Sequence, residues 1–122
     1  MTTTVASKYR GSKEFFLVYT ALITAARFRG TVGYQKVAEL MGLPSQGNYM
    51  GTETGHLLGE ISEDEHRQGR PMLSAIAVST AGMPGDGFFK LARSLGKLAD
   101  SNAAAEREFW GRERDEVYEA WK

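Results

Sequence analysis

The feature that most limits this chain is the step Gly42-Leu43-Pro44 between two helical patterns. Glycine ends a helix in the left-handed conformation, and the residue before a proline avoids the helical region. A helix must therefore stop here and another begin within a few residues. Upstream, Tyr34 to Met41 reads as a short helix with Val37, Leu40 and Met41 inward. Downstream, Ser45 or Asn48 can cap a longer helix running to about Gln68, with Met50, Leu57, Leu58 and Ile61 as its apolar contacts. A third helix precedes both. Ser12 caps it, and Phe15, Val18, Tyr19, Leu22 and Ala26 fall on one face. Gly30 is its expected left-handed stop.

Beyond this core, Thr31-Val32 reads as extended and Gly69-Arg70-Pro71 as a break. The apolar run Met72 to Val78 is the strand candidate, and Ser79 to Gly87 is a turn rich in Gly and Pro. Phe88 to about Ala99 reads as a helix, and Asp100-Ser101-Asn102 as a hinge. Residues 103–122 form an amphipathic C-terminal helix with Trp110, Val117 and Trp121 on one face, expected to dock on the body. Gly51, Gly55 and Gly59 recur on one helical row, at a cost of about 1 kcal/mol each against alanine. That spacing predicts close packing by another backbone or a frayed first turn. The order of elements is that of a winged helix-turn-helix. The expected class is α+β, mostly helical, with flanking N- and C-terminal helices. A chain of 122 residues fits a single domain over 1–122, with residues 1–11 flexible.

Fifteen basic and fifteen acidic residues cancel, but not evenly along the chain. Residues 1–36 carry Lys8, Arg10, Lys13, Arg27, Arg29 and Lys36 against Glu14. Residues 37–68 carry Glu39, Glu53, Glu60, Glu63, Asp64 and Glu65 against Arg67. A basic surface favours phosphate backbones. Alternatively, the two regions attract each other or a second copy. The absence of cysteine removes disulfides, thiolate nucleophiles and thiolate metal sites, and fits a reducing, cytoplasmic compartment. The longest uncharged apolar run, Phe15 to Ala26, is short of the ~20 residues a spanning helix needs.

The stretch Gly30-Thr31-Val32-Gly33-Tyr34-Gln35-Lys36-Val37-Ala38-Glu39-Leu40-Met41-Gly42 resembles the DNA-binding segment of the alkyltransferase and alkyltransferase-like proteins. Those carry Gly-x-Val-x-Tyr-Gly-x-Val/Ile-Ala-x-Leu-Ala-Gly ahead of a helix that enters the minor groove. The resemblance covers residues 29–78 and implies a winged-helix fold and DNA as partner. Two departures limit it. Pro71-Met72-Leu73-Ser74 stands near the place of the family's reactive Pro-Cys-His-Arg, without thiol or histidine. No arginine follows Gly47, where the family's groove helix carries its finger. Alkyl transfer to a cysteine is thereby excluded. Residues 47–91 also resemble small uncharacterised bacterial proteins with a Gly-Arg-Pro-x-Leu-Ser-Ala strand and a Pro-Gly-x-Gly-Phe-Phe turn.

The leading expectation is therefore non-catalytic DNA binding by a winged helix. Lys36, Ser45, Gln46, Asn48, Tyr49 and Thr52 would face the duplex, and Arg27, Arg29 and Lys90 would contact phosphates. The alternative is a protein-interaction or regulatory module on the same scaffold, as a single copy or as a homodimer. A third reading places a small anionic ligand at the Gly82–Gly87 turn, with Arg70, Gly85 and Gly87 as contacts. His56/Glu60 and Glu63/His66 have spacings that can share a metal, but a solvated acidic helix face is the expectation. Ser74 lacks the local pattern of a nucleophile elbow. No cofactor, metal or catalytic residue is expected. Arg70 is expected to pair with Glu60, Glu63 or Glu65, or else with phosphate.

Overall fold

The structure, a computed structural model, describes residues 5–44 and 48–122, without the side chains of Asn48 and Tyr49. Ser45, Gln46 and those two side chains, all expected at the duplex, lie outside the described residues. The described chain is mostly helical with one small sheet. The elements are α1 (Lys13–Arg27), β1 (Val32–Gly33), α2 (Tyr34–Leu40), α3 (Asn48–Arg67), a 3-10 turn (Leu73–Ile76), β2 (Ala77–Val78), α4 (Asp86–Ser94) and α5 (Ala103–Ala120).

Ser12 caps α1 as expected, its hydroxyl accepting from the Phe15 N–H at 3.2 Å. The far end differs. The Gly30 N–H donates to the Ala25 carbonyl at 2.8 Å and the Arg29 N–H to Ala26 at 3.1 Å. In that bonding pattern the left-handed residue is the one before Gly30, so Arg29 takes φ 56°. The glycine stands one residue too late to relieve it, at a cost of about 1 kcal/mol. Gly42, by contrast, sits where the same motif needs it, at φ 74°, and ends α2.

The strand expected over Met72 to Val78 is mostly absent. Leu73–Ile76 forms a 3-10 turn, and only Ala77–Val78 pairs, in parallel with Val32–Gly33. The reason lies in where the backbone donors go. The Met72 N–H donates to the Glu113 carboxylate at 2.8 Å, and the Ser74 N–H to the Ser62 hydroxyl at 3.0 Å. Side chains of α3 and α5 satisfy donors that a strand would give to a neighbour. Met72 to Val78 is buried throughout and packs against α1, α3 and α5. From β2 the chain turns through residues 79–85, where the Ser79 N–H meets the Met83 carbonyl at 2.9 Å, into α4. That helix stops at Ser94, short of the expected Ala99, because Gly96 at φ 75° closes it.

The C-terminal helix docks, as expected from its two tryptophans. Asn102 caps α5, accepting from the Ala105 N–H at 2.8 Å. The Trp110 indole donates to the Ala75 carbonyl at 2.9 Å and the Tyr118 hydroxyl to Gly30 at 3.0 Å, while Phe109 and Val117 enter the core. Among the described residues no helix is long and apolar enough to cross a membrane.

Candidate functional site

Tyr34 opens α2 and stands at a concave part of the described surface. Its hydroxyl accepts the Gly85 N–H at 2.5 Å, which ties the start of α2 to the start of α4. Burial pushes its phenol above the ordinary tyrosine value, against the opposing pull of that N–H. Tyr34 lines two hollows. One, of about 320 Å³, lies between Gly51, Thr54 and Gly55 of α3 and Gly85, Gly87 and Phe88 of α4. The other, of about 290 Å³, is bounded by Gln35, Met50 and Ser79 among others.

The glycine row of α3 has a different use from the one expected. No backbone among the described residues packs on it. Among the described residues, a side-chain carbon at Gly51 or Gly55 would meet nothing within 4 Å, and at Gly59 only the Val5 side chain at 3.6 Å. All three glycines line the larger hollow, so their missing side chains widen it. The first turns of α2 and α3 carry no acidic residue, whereas α4 has Asp86. Helix starts present partly positive, unpaired N–H groups.

The candidate residues do not form one set. Lys36, Thr52 and Lys90 are exposed on α2, α3 and α4, and Lys36 lies 3.5 Å from Glu39. Arg27 and Arg29 are exposed at the end of α1. Arg29 leans on α5, 3.1 Å from Glu119 and over the Tyr118 ring. Gly85 and Gly87 lie in the larger hollow, but Arg70 does not join them. It packs past the far end of α3, 2.6 Å from Glu65 and over the Trp121 ring. Of its two expected partners, the structure places the carboxylate. Tyr34 itself was outside the expected contact set, although it stood in the family-like stretch. Its signal was a lone tyrosine at a helix start, preceded by glycine.

The acidic run of α3 is not a solvated face. Glu53, Glu60, Glu63 and Glu65 are all buried. Residues 5–11, read from the sequence as flexible, lie against them. Glu60 accepts the backbone N–H groups of Lys8, Tyr9 and Arg10 at 2.9–3.1 Å. Glu63 accepts the Val5 N–H at 3.1 Å, and Arg10 reaches both Glu63 and Asp64 at 2.9 Å. Lys8 meets Glu53 at 2.6 Å, and with Tyr9 it holds that carboxyl below its ordinary value. Much of the basic first third is thus answered within the molecule. His56 Nε2 lies 2.7 Å from the Ala6 carbonyl, and the Ser74 hydroxyl is paired with Ser62 at 2.6 Å.

At the far end of α3, Arg10, Tyr19, Asp64, Glu65, Arg67 and Arg70 border a hollow of about 420 Å³. The Tyr19 hydroxyl donates to Glu65 at 2.7 Å. Burial, and then the Glu65 carboxylate, push its pKa up to about 12 from 10.0. A raised folded-state pKa means stability present below pH 10 and lost as pH climbs toward 12. An absorbance titration of the phenolates should show a tyrosine ionising near pH 12. In Glu65→Gln that midpoint should fall only part of the way, because burial, the larger cause, stays. A Tyr19 midpoint at the free value would refute the assignment.

Compared with protein families, with curated proteins and with solved structures, the chain matches none.

Proposed function

We propose that this protein binds duplex DNA without catalysis, with the start of α3 entering a groove. In this reading α2, the Gly42 turn and α3 act as the helix-turn-helix of a winged-helix unit, and the turn 79–85 stands where a wing would. The observation that carries it is the meeting of three helix starts around Tyr34, at the mouths of two hollows. N-terminal turns attract phosphate, and two of these three lack an acidic side chain to compete. Exposed Lys36, Thr52 and Lys90 stand on the same three helices, and the resemblance over residues 29–78 points the same way. Arg29, held by Glu119, has a lesser part.

Fluorescence anisotropy of a labelled random duplex tests the proposal. Binding should weaken steeply between about 50 and 200 mM salt, since affinity falls with the number of phosphates neutralised. Lys36→Glu and Lys90→Glu should each reduce the salt slope by about 1. Asn48→Ala and Tyr49→Ala should weaken binding if that turn sits in the groove. No binding at low salt and tens of micromolar protein would overturn the DNA reading.

A further inference from the structure

A glycine inside a helix weakens it relative to alanine, yet α3 carries three at four-residue spacing. A side-chain carbon at Gly51 or Gly55 would strengthen the helix and touch nothing among the described residues. These positions therefore hold space rather than a contact. Local rules broken without a packing gain mark functional positions. Gly85 and Gly87 line the same space from the start of α4, and it measures about 320 Å³. That is about twice the roughly 150 Å³ that holds one benzene.

The walls are mostly apolar, with Leu58, Phe88 and Leu91 among them. The polar groups that line the hollow are few, and they select one kind of guest. The Thr54 hydroxyl already donates to the Met50 carbonyl at 2.8 Å. The hydroxyl of Ser74, a residue 5% exposed, accepts from Ser62 at 2.6 Å. The Tyr34 hydroxyl accepts the Gly85 N–H at 2.5 Å, and burial keeps it protonated. Each of these last two hydroxyls keeps a proton for which the described residues supply no acceptor. A buried donor left so is costly, and a guest oxygen would relieve it. No Lys or Arg among the described residues lines the hollow, whereas the exposed carboxylate of Asp86 does. An anion would meet that charge with no basic side chain to offset it.

We propose that this hollow is the binding site of a small neutral molecule with a flat apolar body, about two fused rings in size, and a carbonyl oxygen that accepts from the Tyr34 or the Ser74 hydroxyl. The rings lie against Leu58, Phe88 and the bare backbone of the glycine row, where no side chain of α3 stands in the way. The inference goes beyond DNA binding and its test contains no DNA, so either can fail alone.

The probe is 1-indanone, two fused rings with one carbonyl, titrated into the isotope-labelled full chain and followed by amide NMR. Glycine amides fall in a region of their own in such spectra, and five of these glycines line the hollow. Gly51, Gly55, Gly85 and Gly87 should shift together with one Kd, on the order of 1 mM for so small a ligand. Gly96 and Gly111, outside the hollow, should stay still. Indane-2-carboxylate, similar rings with a negative charge, should bind about tenfold more weakly or worse. Gly55→Leu should fill the space and abolish binding. Circular dichroism should show its melting temperature unchanged or raised, because leucine is the better helix former. Tyr34→Phe or Ser74→Ala, whichever supplies the proton, should weaken 1-indanone about 3- to 10-fold, the scale of one hydrogen bond. The same variant should leave the binding of indane, which has no carbonyl, unchanged. No shift at about 10 mM 1-indanone, well above the expected Kd, would overturn the proposal. So would equal shifts at Gly96 and Gly111, equal binding of the carboxylate, undiminished binding to Gly55→Leu, or indifference to both hydroxyl variants.

Discussion

Replacing Glu60 with alanine should lower the unfolding free energy by about 3 to 5 kcal/mol, the scale for breaking a buried charged network. Glu60 has no exposure to water, and its carboxylate takes three consecutive backbone N–H groups, from Lys8, Tyr9 and Arg10. Alanine leaves those donors without an acceptor beside the positive charge of Arg10. Each orphaned donor costs about 1 to 3 kcal/mol unless water reaches it. The segment can escape that cost by detaching, and this gives a second readout. Trypsin should cut after Lys8 and Arg10 much faster in Glu60→Ala than in the parent chain. Glu60→Gln keeps an acceptor oxygen and should lose less, about 1 to 2 kcal/mol. Urea denaturation measures both. A loss below about 1 kcal/mol, no more than an average substitution, would mean that residues 5–11 are not held by this carboxylate.

The second large effect belongs to the 3-10 turn. Leu73→Ala and Ile76→Ala should each cost about 2 to 5 kcal/mol, since both side chains are fully buried and leave cavities in the centre of the core. Residues three apart point to opposite faces of a strand but to the same side of a 3-10 helix. In a strand with one wet face, one of the two would tolerate alanine. Here neither should. The double variant should depart from additivity, because the two cavities adjoin. Thermal or urea denaturation decides it, and a negligible cost at either position would contradict the packing described.

The electrostatic organisation explains why a chain of zero net charge has so uneven a sequence. The acids of α3 are spent on the backbone of residues 5–11 and on Arg10, Arg67 and Arg70. Glu113 does the same on α5, taking the Met72 N–H and pairing with Lys97. Each buried carboxylate works as a bracket between elements distant in sequence. This leaves exposed Lys36 and Lys90 on the α2 and α4 side of the molecule, and exposed Arg27 by the outer face of α1.

Local rules read from the sequence alone placed α1 from Ser12, α2 up to Gly42, α3 up to its last turn and the docked C-terminal helix. These depend on caps, proline and 3.6-residue periodicity, which act within a few residues and need no partner. Only the tertiary structure decided the rest. An apolar run such as Met72 to Val78 reads alike as strand or turn, and its form depends on Glu113 and Ser62, which meet its N–H groups from other helices. The glycine row of α3 showed that something small was needed there, but not that the space would remain open beside Tyr34. A glutamate likewise reads as surface until a donor from elsewhere in the chain makes its burial affordable. The difference is one of range: helix starts and stops are written in neighbouring residues, whereas burial of a charge or an N–H is settled by whatever the fold brings to it.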